Sequence, residues 1–276
     1  MTQYGLPALH GLAIWWISTG LILFLDGLPR RTFRWSMAAA TMLLGAAVYG
    51  LAASASDTSI YGAYCAFTCA VLIWGWLEIS FYMGYVTGPR THHCPNDCSG
   101  WRHFGHAIQA CLYHEIAVLA LAVFVVCLTR GSPNQFGTWT FIVLWWMHQS
   151  ARLNVFLGVS NLNAEFLPEH LSHIRGFFRS APMNLLFPFS VTLSTIAAVL
   201  LGQLALVHAN DPFQAIGYTL VATMMVLAIL EHWFLVLPLP AANAWNRLWQ
   251  WGLRSHRSGR KARRSMPRHI PVGGRP

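Results

Sequence analysis

From Ile116 to Leu128 the chain reads IAVLALAVFVVCL, a run with no charged or amide side chain. Runs of this kind recur along the sequence, within predominantly apolar segments about as long as a helix needs to cross a bilayer, roughly 20 residues at ~1.5 Å each. In hydrocarbon every backbone N–H and C=O must be satisfied within the protein, so such segments can only be helices or strands of a closed barrel. Unbroken apolar runs of this length, without period-2 alternation, select the helix. The reading is therefore an all-α, polytopic membrane bundle of about seven transmembrane helices, at roughly 8–26, 36–54, 61–86, 104–128, 138–159, 186–207 and 213–237. Composition agrees: 55% of residues are hydrophobic, only 10% are charged, and mean hydropathy is positive. Residues 1–9 hold no Lys or Arg, so the first apolar stretch lacks the basic region of a secretory leader and is expected to remain as an anchor.

The basic residues orient the bundle. Arg30, Arg31 and Arg34 follow the first span, Arg90 and Arg102 the third, and Arg175 and Arg179 the fifth. The segments after the second, fourth and sixth spans hold only Arg130. Half of the 18 Lys and Arg lie beyond Pro240. The positive-inside bias then places the N-terminus in the periplasm and the C-terminus in the cytoplasm, which agrees with an odd number of spans. Residues 1–240 read as the bundle. Residues 241–276 read as a basic, disordered cytoplasmic tail drawn to anionic lipid, with Trp245, Trp249 and Trp251 as interfacial anchors at its start. No nucleic acid is expected as a partner. In LPEHLSHIRGFF, the apolar residues Leu167, Leu171, Ile174 and Phe178 recur at helical spacing, which predicts an amphipathic cytoplasmic helix at about 167–179. There is no internal repeat, dinucleotide fingerprint, P-loop or serine-nucleophile motif.

Against this apolar background a few polar residues stand out. Glu78, the adjacent pair His114 and Glu115, His148 with Arg152 one turn on, and the adjacent pair Glu231 and His232 lie on four different spans. Counted from the cytoplasmic ends, they fall in one layer roughly 8–17 Å deep. A charge near mid-bilayer costs about 2.5–3.5 kcal/mol on insertion scales, so these groups are expected to face one another or a polar cavity. Arg152 can neutralise one of the three carboxylates. The remainder admit several chemistries: hydrogen-bonded carboxylic acids, a proton or quinone path, a pigment or haem pocket with a histidine ligand to magnesium or iron, or a metal centre of the dinuclear iron or manganese kind built from carboxylates and imidazoles on facing helices. Against the last stands the lack of any Glu-x-x-His pair within the spans. The adjacent pairs also point about 100° apart on a helix.

Two further groups lie toward the cytoplasmic side. Glu165, Glu169, His170 and His173 could extend a site downward from the bundle or form the wet face of the amphipathic helix. In HHCPNDCSGWRHFGH, Cys94, Cys98, His103 and His106 could supply a zinc ion with two sulfurs and two nitrogens, although their compact spacing matches no established finger. Cys65, Cys69, Cys111 and Cys127 lie in apolar spans and read as small core residues. The aromatic runs IWW (14–16), WGW (74–76) and LWW (144–146) suit helix packing or a flat ring system such as a tetrapyrrole.

Four phrases carry a resemblance: YHEIAVLA (113–120), SNLNAEFLPEHLSHIRGFF (160–178), MNLLFPFSV (183–191) and LEHWFLVLPLP (230–240). The chain resembles the PuhE family, the photosynthetic complex assembly proteins of purple bacteria, from the first span to about Pro240. The resemblance implies a multi-pass protein of the bacterial inner, photosynthetic (intracytoplasmic) membrane. It would support assembly of the reaction centre with its core antenna, or modulate their bacteriochlorophyll supply. Reaction-centre or antenna subunits would be its partners, and bacteriochlorophyll a candidate ligand. The family brings no catalytic residues to transfer. The alternative carried by the residues themselves is a membrane-embedded, metal-dependent oxygenase or hydroxylase acting on a pigment precursor, quinone or lipid.

Overall fold

The computed structural model describes residues 2–93, 98–162 and 167–237. The basic tail with its tryptophans, Cys94 and Glu165 lie outside the described residues. Seven long helices follow in order: α1 (Thr2–Asp26), α2 (Phe33–Ser54), α3 (Ile60–Tyr82), α4 (Gly100–Thr129), α5 (Phe136–Leu157), α6 (Leu186–Val207) and α7 (Pro212–Val236). Six are long and apolar enough to cross a membrane. The remaining one, α5, has a comparable 22 residues but carries His148, Gln149, Arg152 and Asn154. It can be more polar because it packs against α3, α4, α6 and α7 and shows those groups to protein. α1 starts at Thr2, earlier than residue 8, and runs through polar Gln3 and Tyr4 and past Pro7.

The bundle is inverted relative to a water-soluble protein. Large apolar side chains such as Leu9, Ile17, Met42, Val123 and Leu193 lie more than half exposed on its outside. In water so broad an apolar surface would drive aggregation. In lipid it is the matching solvent, which makes this a multi-pass membrane protein. α3 and α7 occupy the interior, joined by Phe67, Val71, Phe141, Met147, Leu220 and Met224 in two neighbouring apolar clusters. Close approach there depends on small residues: a Cβ at Gly217 would sit 2.1 Å from the Phe136 ring, so α5 and α7 meet where that side chain is missing.

The helix ends are set by local chemistry. Asp211 caps α7, accepting from the N–H groups of Phe213 (3.1 Å) and Gln214 (3.3 Å), with Pro212 in the first turn. Ser59 caps α3 through Gly62 N–H at 3.2 Å. Asn184 accepts from Leu186 and Phe187 N–H at the start of α6. α5 stops at Gly158, whose φ of 126° suits glycine. Among the described residues the β-structure is one isolated bridge between Val159 and Ser180.

Contacts between connections sort the loops into two ends. At one end Asn134, between α4 and α5, donates to the carbonyls of Ser54, Asp57 and Gly62 around the α2–α3 turn. Gln3 donates to Ala209, between α6 and α7, at 2.8 Å. At the other end His170 reaches the Tyr82 carbonyl at 2.8 Å, and Asn161 donates to the carbonyls of Phe234 and Leu237. Phe33 lies against the His170 ring there. The second end therefore gathers the connections that hold Arg30, Arg31, Arg34, Arg90, Arg102, Arg175 and Arg179, whereas the first holds Arg130. Residues Glu169–Phe177 form a 3₁₀ helix across the basic end. Its Leu171, Ile174 and Phe177 pack with Phe81, Tyr82, Ala107 and Ala110.

Candidate functional site

The buried polar residues meet where α3, α4 and α5 converge, near the basic end. Glu78 lies one turn from the end of α3. His114 lies midway along α4, whose first turns project beyond the end of α3, and His148 lies about two and a half turns from the end of α5. One donor atom from each of Glu78, His114 and His148 lies within 4.8 Å of the other two. His148 Nδ1 is 3.4 Å from Glu78 Oε1. That is an ion-pair distance if the ring is charged, yet Glu78 Oε1 makes no geometrically acceptable hydrogen bond.

His114 has a side chain with no solvent exposure, and neither ring nitrogen has a hydrogen-bond partner. Its neighbours are rings: Phe81 at 4.8 Å and His148 at 5.7 Å between centroids. Trp74 closes the other side of His148 at 5.2 Å, edge to face. The backbone of α4 is disturbed at the same place. His114 N–H donates to Thr87 O at 2.9 Å, and Arg90 N–H to Gln109 O at 3.4 Å. The segment after α3 thus lies along α4, with Gly88 so close that a Cβ would sit 2.1 Å from the Gln109 oxygen.

Glu115 does not join the three. Its two oxygens are taken by Gln149 and Arg152, both on α5. Arg152 pairs directly with Glu115; its further contacts include a long one of 3.5 Å to His148 Nε2 and a position over the Phe81 ring, 5.6 Å from the centroid. Both members of the His114–Glu115 pair thus face α5, one toward His148 and one toward Arg152, about 100° apart as adjacent helical residues must be.

The α7 pair is committed elsewhere. His232 is buried, with Nδ1 at 2.9 Å from Ala228 O and Nε2 at 2.9 Å from Ser150 Oγ, so both nitrogens are satisfied. Glu231 points to the outside of α7 and accepts from Trp15 Nε1 at 3.1 Å. Of the six sequence candidates the structure brings three together and gives the other three separate partners.

Of the lower groups, Glu169 is exposed, and His170 is bound to the Tyr82 carbonyl. His173 is buried with Nε2 unpartnered, and burial lowers its basicity, as it does for His170. In the cysteine–histidine loop, Cys98 Sγ lies 3.2 Å from His106 Nδ1. The His103 ring stacks on Phe156 and lies tilted against Phe177.

A family model described as "Protein of unknown function (DUF3623)" matches residues 1–260. The chain belongs to that family. It is 38% identical over 278 residues to a Rhodobacter capsulatus protein described as "Uncharacterized 30.4 kDa protein in puhA 5'region", covering 99% of this chain and 100% of the relative. No solved structure matches.

In this DUF3623 chain, sequence reasoning missed Gln149, Trp15 and Ser150 as the groups that satisfy Glu115, Glu231 and His232. Gln149 was findable, since it lies next to His148 and three residues before Arg152 on one helix. Ser150 and Trp15 carry no signal of their own in an apolar sequence. The wedge of Thr87 and Gly88 against α4 is a tertiary feature that no periodicity reports.

Proposed function

We propose that this protein is a membrane factor of the photosynthetic apparatus, supporting assembly of the reaction centre with its core antenna or the supply of bacteriochlorophyll to them. The observation that carries this reading is the full-length relative described by its place in the puhA 5′ region. The apolar exterior and the clustered arginines of one end are compatible with docking laterally against other membrane subunits, with the polar end held at an anionic membrane face. The test is deletion of the gene in the host. The near-infrared bands of reaction centre and core antenna should fall together while free bacteriochlorophyll or its precursors remain, and tagged full-length protein should copurify with nascent subunits or pigment. Unchanged complexes in the deletion strain would refute it.

A second reading is favoured by the Glu78, His114 and His148 cluster: a metal-dependent oxygenase or hydroxylase acting on a pigment precursor, quinone or lipid. It predicts instead that the deletion strain accumulates one under-oxidised small molecule, and that Glu78→Gln reproduces this accumulation with the protein still inserted.

A further inference from the structure

We propose that Glu78, His114 and His148 bind a single divalent first-row transition-metal ion with an open coordination position. This inference stands apart from the assembly reading and rests on four observations.

The first is His114. An imidazole with no exposure and no hydrogen-bond partner on either nitrogen leaves two polar atoms uncompensated in an apolar setting, which is unfavourable. Packing does not explain it, because His232 in the same bundle has a partner on each nitrogen. A ligand bound by one of the His114 nitrogens would give that atom its partner.

The second is a distance. His148 Nδ1 and Glu78 Oε1 are 3.4 Å apart. A charge-assisted N–H···O bond is shorter, about 2.7–2.9 Å. Two ligands held at ~2.1 Å from one ion at a tetrahedral angle are ~3.4 Å apart. The pair is spaced as two corners of a coordination shell. The third donor, on His114, lies within 4.8 Å of both and has to close by on the order of 1 Å to reach the same centre.

The third is the chemistry of the donor set. Two imidazoles and one carboxylate are the ligands of open, reactive sites for zinc or non-haem iron, whereas structural zinc sites close with four protein ligands. Among the described residues no fourth His, Cys, Asp or Glu joins the three. An oxygen donor from solvent or from a second molecule would complete the shell.

The fourth is the surrounding charge, which also limits the site to one ion. Glu115 is neutralised by Arg152, with its oxygens held by Arg152 and Gln149. Glu231 is held by Trp15. A second ion would find no carboxylate to bridge to the first. Glu78 Oε1 is the carboxylate oxygen left without a hydrogen-bond partner beside the two rings, and a divalent cation would give it one by coordination. On binding through Nδ1, His148 carries its proton on Nε2. Arg152 Nη1, 3.5 Å away, is then the group that must draw back toward Glu115.

The test uses full-length protein in detergent, stripped with chelator and titrated with Co²⁺ alone, in a Cys98→Ser background to remove the one described thiol that lies beside a histidine. The expected result is one equivalent bound, with visible d–d bands. Affinity should fall on the order of 100-fold or more in Glu78→Gln and in His114→Gln, since even partners behind the ligands are worth 10–100-fold. It should be unchanged in His232→Gln. Cobalt-edge X-ray absorption on the unsubstituted site needs no folding-sensitive variant and should show imidazole scattering from two rings and no sulfur. A folded protein that takes up no cobalt overturns the proposal. So does binding retained in both ligand variants, or a shell without imidazole.

Discussion

At the scale of single residues, the Glu115–Arg152 pair shows how a charge is kept inside an apolar bundle. Neither residue is fully buried, and each has one opposite charge and further polar or aromatic contacts on α5 or α3. Removing one member leaves the other as an uncompensated charge, which costs about 3 kcal/mol in a low-dielectric setting. Glu115→Ala is therefore expected to lower the detergent unfolding midpoint markedly. The double change Glu115→Gln with Arg152→Met should recover most of that loss, because both charges go together. If the single and double variants melt alike, the pair contributes nothing as a pair. The identity of these residues was legible in the sequence, since charges in apolar runs announce themselves by cost alone. Their pairing was not. Which face His114 presents, and that Glu231 binds Trp15 on the outer side of α7 rather than joining Glu78, depend on helix rotations that an evenly apolar sequence leaves undetermined. When all sides of a helix are greasy, no amphipathic stripe sets its rotation.

At the scale of elements, the 3₁₀ helix Glu169–Phe177 is held to the basic end by Leu171, Ile174 and Phe177 and by the bond from His170 to the Tyr82 carbonyl. Its position matters because Phe81, which it touches, also packs on His114. His170 and His173 both titrate below the usual histidine value of 6.5, chiefly because docking removes them from water. Arg30 beside His170, and His92 and His93 beside His173, push in the same direction, while the backbone hydrogen bond of each ring opposes it. The sign follows. Above pH 6.5 both rings are neutral whether docked or released, and the docked state keeps its full stability. As pH falls below 6.5 the released rings gain protons that the docked rings resist, so docking weakens until the lowered values are reached. The protection factors of the amides across 169–177, corrected for the slower intrinsic exchange at lower pH, should fall between about pH 7 and pH 5.5, while those of the interior of α3 and α7 stay high. Unchanged protection factors across that range would sink the idea. The apolar spacing of this segment was visible in the sequence. Its tight 3₁₀ geometry was not, because Pro168 at its start and Gly176 near its end leave only nine residues, and helical turns that short are settled by what they pack on.

At the scale of the molecule, the long helices were the most legible feature, because the length of an apolar run is a direct readout of bilayer thickness. α5 shows the limit of that readout: its polar side chains depress its apolar character, yet it is long enough to span and its neighbours satisfy those groups. Orientation is the next inference at this scale. The structure gathers seven arginines at one end of the described bundle and leaves Arg130 at the other, where Asp57 and Asp211 also lie. Insertion retains clustered Arg on the cytoplasmic side, and acidic residues contribute little to the choice. The basic end, with the 3₁₀ helix and the end of α3 that carries Glu78, is therefore expected to face the cytoplasm. Alkaline phosphatase fused after Ser132 should be active, because that connection would be periplasmic, and the same reporter fused after Arg179 should be inactive. Replacing Arg30, Arg31 and Arg34 together should raise activity of the fusion after Arg179, as the bias at the first connection is lost. The reversed pattern in the unsubstituted chain would place the Glu78, His114 and His148 cluster next to the periplasm, and any metal or substrate would then have to arrive from that side.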